Sequence, residues 1–413
     1  MIEQSTAAQP PVSEVVEAQG HLIDSHIMEK IFDTVVEFGA QFEVEQFSIG
    51  RTNSDASRLR LRVEAPSDEQ MEQLMTELLA LGCTPVNSGD AELKPAEKDC
   101  CAPEDFYSTT NQRTQVRYRG QWMSVRKQRM DAMIVVRDGM AECRRLRDIR
   151  AGDPVVVGMK GIRILPEAKE RDRLAFAFMS NEISSERQVE TAVAQTAAIM
   201  RQVRSDGKKI IAVAGPVVVH TGGCGAMSRL IRSHWIDALL AGNALAVHDI
   251  ESALLGTSLG VRTQDGRLEQ HGHRNHMRAI NAIYRAGGIA GAVEAGRLTT
   301  GVMYECVKAR VPFVLAGSLR DDGPLPGVIT DMNEAQDAYA AQLEGAGVVL
   351  CLSSMLHSIA VGNMLPAWVK IVCVDINPAV PTKVSDRGTG QAVGVVTDVG
   401  LFLELLARKL GAE

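Results

Sequence analysis

Several short polar side chains stand where apolar runs end. Asn243 follows DALLAG, Asp322 follows PFVLAGSLRD, Ser353 and Ser354 follow VVLCL, Asp375 closes KIVCV, and Asp398 follows GVVT. A carboxylate at the carboxyl end of a strand can accept hydrogen bonds from both vicinal hydroxyls of a ribose, so the pattern points toward a nucleotide. Each residue alone also suits the N-cap of a following helix. Together they outline a ligand cleft along one sheet edge. Two further groups carry acid–base chemistry by type. His248 beside Asp249 offers a pair that could tune a general base, and Glu305 adds a carboxylate. The same residues suit buried structural pairs equally well. His271, His273 and His276 in HGHRNH are spaced too tightly for one helix face at the first pair and lack a nearby carboxylate. They read as a polar loop near substrate, and no metal is expected. No GxSxG elbow is present, which disfavours a Ser-His-Asp hydrolase.

These residues need a sheet to hold them. GVVLCLSSMLHSIAVGNMLPAWVKIVCVD, from Gly347 to Asp375, reads as strand, polar turn, helix and strand. Short apolar strands separated by a helix predict a parallel sheet buried on both faces. The SSMLHS turn would aim backbone N–H groups of a helix N-terminus at a phosphate. VAGPVVVHTGGCGAMSRL offers a second such turn through Gly222, Gly223 and Gly225, with a plain glycine turn as the other reading. RAGGIAGAVEAG is a weak glycine cluster and no GxGxxG stands in the expected place. KKIIAVAGPVVVH, a helix from Gly223 to Trp235, and DALLAGNALAVHD read as strand, helix and strand. The α/β pattern occupies residues 171–413, opened by a long helix from Ser185 to Val203.

Upstream, residues 13–98 follow a β-α-β-β-α-β order, which predicts a ferredoxin-like α+β unit. Leu59, Leu61 and Val63 alternate with charged residues, and Ser67 with Gln70 forms a capping box before a helical stripe. Residues 99–170 predict a β-rich module, with Arg119-Gly120 and Asp138-Gly139 as hairpin turns.

Composition bounds the function classes. The chain has 413 residues, a formal net charge of −7, and 23% charged residues. The negative balance argues against nucleic-acid binding, which rests on Lys and Arg neutralising phosphate. No apolar run reaches the roughly 18 residues of a membrane helix. The N-terminus lacks the basic start and apolar core of a signal peptide. The eight cysteines form no CxxC, as expected of reduced thiols in a cytoplasmic protein.

GHLIDS, EDFYSTTN, GNALAVHDIE, VPFVLAGSLRDDGPLP, SMLHSIAVGNMLP and VCVDINPAV together resemble the archaeal-type ornithine cyclodeaminases. They are similar also to the C-terminal part of bifunctional arginine dihydrolase/ornithine cyclodeaminases, a family labelled by its LOR/SDH conserved region. The resemblance runs from about Ser13 to the C-terminus. It leaves out the dihydrolase domain, so arginine dihydrolase activity is not implied. It implies NAD in a Rossmann-like domain related to deoxyhypusine synthase. The implied cofactor contacts are Asn243, Ala244, Asp322, Ser354, Met355, Leu356, His357, Asp375, Asp398 and Val399, with a Thr expected where Ser354 stands. The activity implied is conversion of L-ornithine, a small amino acid, to L-proline by NAD-mediated oxidation, cyclisation and re-reduction. Small α+β units with an exposed sheet edge often pair, so a homo-oligomer is expected. His248 and Glu305 are the acid–base candidates by chemical type, and Arg113 or Arg274 the candidates for the substrate carboxylate. The alternatives are a cyclodeaminase or dehydrogenase of lysine- or saccharopine-type amines, and a non-catalytic NAD-loaded sensor.

Overall fold

The computed structural model describes residues 12–20, 22, 27–50, 57–86, 89–165, 185–258, 261–262, 274–321, 323–386 and 392–412. Asp322, His271 and His273 lie outside the described residues. The chain divides into two compact units, Met1–Asp172 with Leu365–Ala367, and Arg173–Met364 with Trp368–Glu413.

The first unit opens with β1 (Val12–Gly20), α1 (Ile27–Glu37), β2 (Gln41–Ser48), β3 (Ser57–Ala65), α2 (Asp68–Ala80) and β4 (Thr84–Pro85). Their antiparallel sheet runs β2-β3-β1-β4, the ferredoxin-like order. Alternation decides the buried face: Leu59, Leu61 and Val63 of β3 meet Ile31 and Val35 of α1 and Leu74 and Leu78 of α2. Ser67 caps α2 as predicted, its Oγ accepting from the Gln70 N–H at 3.3 Å. At the sheet's edge, Phe42 and Val44 of β2 are exposed.

A second sheet follows, from β5 (Glu92–Pro95), β6 (Arg113–Tyr118), β7 (Gln121–Arg126), β8 (Met133–Arg137), β9 (Met140–Arg144), β10 (Pro154–Val157) and β11 (Ile162–Leu165). Its order is β11-β6-β7-β9-β8-β10-β5, so β5, upstream of residue 99, pairs here with β10. Arg119-Gly120 and Asp138-Gly139 both have positive φ at both positions (51° and 75°, 53° and 70°). That is the type I′ geometry that matches strand twist, and it closes the predicted hairpins β6–β7 and β8–β9.

The second unit contains α3 (Ser185–Ser205), β12 (Lys209–Ala214), α4 (Val217–His220), α5 (Cys224–Arg232), β13 (Ala238–Gly242), α6 (Asn243–Leu255), β14 (Thr257–Ser258), β15 (Val261–Arg262), α7 (Asn275–Arg285), α8 (Ile289–Glu294), α9 (Val302–Lys308), β16 (Phe313–Ala316), α10 (Met332–Leu343), β17 (Ala346–Leu352), α11 (Met355–Met364), β18 (Lys370–Asp375), α12 (Ala379–Asp386), β19 (Ala392–Val396) and α13 (Val399–Leu410). Six strands form one sheet, β16-β13-β12-β17-β18-β19, parallel throughout. In chain order this is 3-2-1-4-5-6, with the winding reversing between β12 and β17. Every residue of β17 is buried, so helices cover both faces. Met200 and Val203 of α3 and Phe402 and Leu406 of α13 join Ile210, Ala212, Val348 and Leu350 in this core.

Two expected strands prove shorter. KKIIAVAGPVVVH ends as a strand at Ala214 and DALLAGNALAVHD at Gly242, and helices α4 and α6 take over. The apolar run continues because the opening turns of these helices are themselves buried, which erases the change of period that marks such a boundary.

Candidate functional site

The reversal point lies between the carboxyl ends of β12 and β17. There the Gly215 N–H donates to Leu352 O at 2.9 Å. A Cβ on Gly215 would fall 2.1 Å from Ser353 O, so only glycine lets the two chains pass. Ser353 adopts a left-handed φ of 48°, a strained turn that throws the chain straight into α11. The first N–H groups of α11 have no intrahelical acceptor, and the helix dipole favours an anion beside them. Ser354, Met355 and Leu356 form that opening, and Leu356 is 73% exposed.

His357 locks this turn to the neighbouring strands. Its Nδ1 lies 2.9 Å from Tyr339 Oη, which donates to Ala241 O at 2.8 Å. The tyrosine's one proton goes to the carbonyl, so Nδ1 must carry the imidazole proton and Nε2 is left as an acceptor. Burial lowers the His357 pKa, consistent with a neutral ring. A Cβ on Gly242 would meet His357 Cε1 at 3.3 Å, so the β13 tip and the α11 opening are in close contact.

The other predicted tips divide. Asp375 gives one oxygen to the Asn377 N–H at 2.8 Å, and its other oxygen has no partner among the described residues. Ile376 beside it is 71% exposed. Asn243 is buried, and its Oδ1 accepts from the Leu325 N–H at 3.0 Å, holding the loop after β16. Ala244 follows it, half-buried, in the first turn of α6. Asp398 is the N-cap of α13, accepting from the Leu401 N–H at 2.8 Å. The Val399 side chain is buried in the core, which leaves its main chain as the group able to meet a ligand.

The acid–base candidates are not brought together. The pair expected between His248 and Asp249 does not form. Adjacent residues on a helix point about 100° apart, and both lie on α6. Asp249 instead accepts from the Val302 and Met303 N–H groups, both at 2.8 Å, and caps α9. Burial pushes its pKa up to about 6. Glu305 pairs with Arg232 at 2.5 Å. Glu305 and Asp249 help line a cavity of about 910 Å³ between α5, α6 and α9, which His248 does not line.

His248 has different neighbours. Its Nδ1 lies 3.5 Å from Glu251 Oε2, one helical turn on, and finds no hydrogen bond among the described residues. Glu251 is fully buried, and its Oε1 accepts from Thr257 Oγ1 at 2.7 Å. Asn275 Nδ2 donates to that threonine at 2.9 Å. The ring of His220 lies 4.9 Å from that of His248, and Ser258 Oγ is 2.9 Å from His220 Nδ1. Burial lowers the His220 pKa, repulsion from His248 lowers it further, and Glu251 opposes both. His276 lies half-buried on α7; Arg274 is exposed just before that helix, and Arg113 opens β6 in the first unit.

His220, Glu251 and Tyr339 escaped the sequence reading. His220 stood inside a segment noticed for its glycines. Glu251 was detectable as a carboxylate three residues from a histidine, once that segment is known to be helical. Tyr339 carries no local signal.

The residues at the reversal point fit a dinucleotide. A glycine passage, an unpaired helix opening, a half-satisfied carboxylate and exposed apolar side chains at Leu356 and Ile376 supply room, phosphate donors, a ribose acceptor and cover for a base. The fold and crevice define a doubly wound, dinucleotide-binding α/β protein.

Comparison with known proteins narrows the class. Residues 194–406 match the model described as "Arginine dihydrolase ArgZ-like, C-terminal, Rossmann fold", residues 113–193 its first region, and residues 13–112 the LOR/SDH bifunctional enzyme conserved region. The chain is 49% identical to the ornithine cyclodeaminase of Methanocaldococcus jannaschii, with 96% of this chain and 95% of that one covered. It is 49% identical to the bifunctional arginine dihydrolase/ornithine cyclodeaminase AgrE of Nostoc sp., again over 96% of this chain, but spans only 58% of that longer relative. Among solved structures, apo ArgZ superposes with a TM-score of 0.85 at 46% identity, covering all of this chain and 60% of that one. The LOR/SDH protein of Methanococcus maripaludis gives 0.73 at 47%, covering 78% and 98%. The chain belongs to this LOR/SDH, ArgZ-like family.

Proposed function

We propose that this chain is an NAD-dependent ornithine cyclodeaminase, converting L-ornithine to L-proline and ammonia. The observation that carries the reading is the 49% identity to a curated ornithine cyclodeaminase across nearly its whole length. A relative 47% identical to this chain has been crystallised as a ternary complex with ornithine and NAD+. When bound, NAD supplies a reversible hydride acceptor, so an amine-bearing carbon can be oxidised and re-reduced without net redox change.

The chain's own residues divide the remaining work. Asp375 takes the adenosine ribose, and the opening from Ser354 through Met355 and Leu356 to His357 takes the phosphates. Asn243 and Ala244 border the cofactor at the β13 tip, and Asp398 and Val399 the nicotinamide side, Val399 through its main chain. His248, 9% exposed beside Glu251, and Glu305, paired with Arg232 at the cavity between α5, α6 and α9, are the acid–base candidates. Among the described residues no helix is long and apolar enough to cross a membrane. All eight cysteines are free, which suits a reducing compartment such as the cytoplasm. The open β2 edge supports assembly with further copies of the chain.

Purified protein incubated with L-ornithine and NAD should release proline and ammonia in equal amounts with no net NADH. Absence of both products overturns the proposal. Net NADH with a lysine- or saccharopine-type amine would identify a dehydrogenase, and ligand-dependent melting shifts without turnover a sensor.

A further inference from the structure

His220, His248 and Glu251 form a graded series. His220 is exposed on α4, just past the carboxyl end of β12. His248 behind it is 9% exposed, and Glu251 behind that is fully buried. The three come from two helices, and Ser258, Thr257 and Asn275 hold the ends of the series. Two imidazoles 4.9 Å apart resist carrying a proton each, and a buried carboxylate beside them favours their carrying one between them. Among the described residues, His248 and Glu251 are the charged groups that act on His220.

We infer that His220 and His248, charged by Glu251, are a single-proton acid–base pair serving the two amines of the substrate, with His220 the member that meets them. The inference rests on the cyclodeaminase reading. Its proton balance fits that reaction. The attacking amine must lose a proton and the departing one must gain a proton. Ornithine with both amines protonated becomes zwitterionic proline and ammonium, so no proton is gained or lost overall. A site that holds one exchangeable proton and returns to its starting state therefore suffices. Glu251 is a positioning residue that acts through His248.

The test has two arms. Imidazole NMR titration of the protein without substrate should show the His220 pKa rising in His248→Asn, where a neighbouring cation is lost, and falling in Glu251→Gln, where a neighbouring anion is lost. Kinetics should show His220→Asn lowering kcat about 10²-fold or more at neutral pH, with NAD affinity unchanged. Glu251→Gln should shift the kcat pH profile, which a purely structural role would leave in place. An unmoved His220 titration in both variants overturns the inference, and so does a His220→Asn enzyme with wild-type kcat and pH profile. If the wild type itself fails to turn over ornithine, the reaction assignment falls, while the titration arm still decides whether the three groups are coupled.

Discussion

Tyr339 ties the β13 tip to α11 through Ala241 and His357, and its hydroxyl can be removed without changing the shape of the ring. In Tyr339→Phe, the Ala241 carbonyl loses a donor at 2.8 Å and His357 Nδ1 loses an acceptor at 2.9 Å. Tyr339 is 4% exposed, so water is poorly placed to replace the hydroxyl. A buried polar group left unpaired costs about 1–3 kcal/mol, and the lost bonds themselves contribute little more once solvent exchange is counted. We take about 2 kcal/mol for the pair. In a unit of this size that lowers Tm by about 4–8 °C. The cofactor should feel only the part of the loss that loosens His357. One hydrogen bond of about 1 kcal/mol sets the limit, which is about a fivefold rise in the Kd for NAD. Calorimetric melting and a fluorescence titration with NAD check both numbers. A Tm within 1 °C of wild type would refute the tautomer assignment, because it would mean that neither partner depended on the hydroxyl. A Kd raised a hundredfold would refute the view that His357 is held in place by this contact rather than defining the site.

Gly215→Ala should be more damaging to binding than to secondary structure. The new methyl would meet the Ser353 carbonyl at 2.1 Å, and the turn into α11 must move by more than 1 Å to relieve it. We expect a wild-type far-ultraviolet circular dichroism spectrum with loss of the NAD-induced rise in Tm; an unchanged NAD response would show that the passage is not part of the crevice. Asp249 gives a prediction in pH. Its carboxyl ionises near the ordinary 3.8 in the unfolded chain and at about 6 when folded. The folded state thus holds the extra proton between those values, and stability is full below about pH 4 and falls toward pH 6, by about 3 kcal/mol. Urea unfolding of wild type and Asp249→Asn between pH 4 and pH 7 should show a difference that follows this slope. A pH-independent difference would mean that the two amides of α9 hold the carboxylate ionised throughout.

The architecture was largely legible because its signals are local. Alternation along Leu59, Leu61 and Val63 fixed the face of β3, and Arg119-Gly120 and Asp138-Gly139 announced turns whose positive φ few other pairs tolerate. The strand tips at Ser353 and Asp375 were legible because apolar runs ended there in polar residues. What failed was the end of β13, where the buried helix α6 continues an apolar composition and hides its own period. Adjacent side chains diverge on a strand as on a helix, so His248 and Asp249 part either way; only knowing that the segment is helical puts His248 with Glu251. The contacts of Glu305 with Arg232 and of Tyr339 with His357 join residues from different elements, and no spacing rule in one sequence reaches them.

The arrangement of the parallel sheet also sets a timetable for manufacture. Its first strand to be translated, β12, lies at the middle and needs β17 as a neighbour, yet Lys209 waits for Ala346 to emerge. At about 5–20 residues per second, that wait is about 7–27 s. Throughout it, a strand made almost wholly of Ile, Val and Ala has one flank unclaimed. Newly made chains should therefore need sheltering on the ribosome, and stalling between residues 242 and 346 should be the most harmful place to interrupt synthesis.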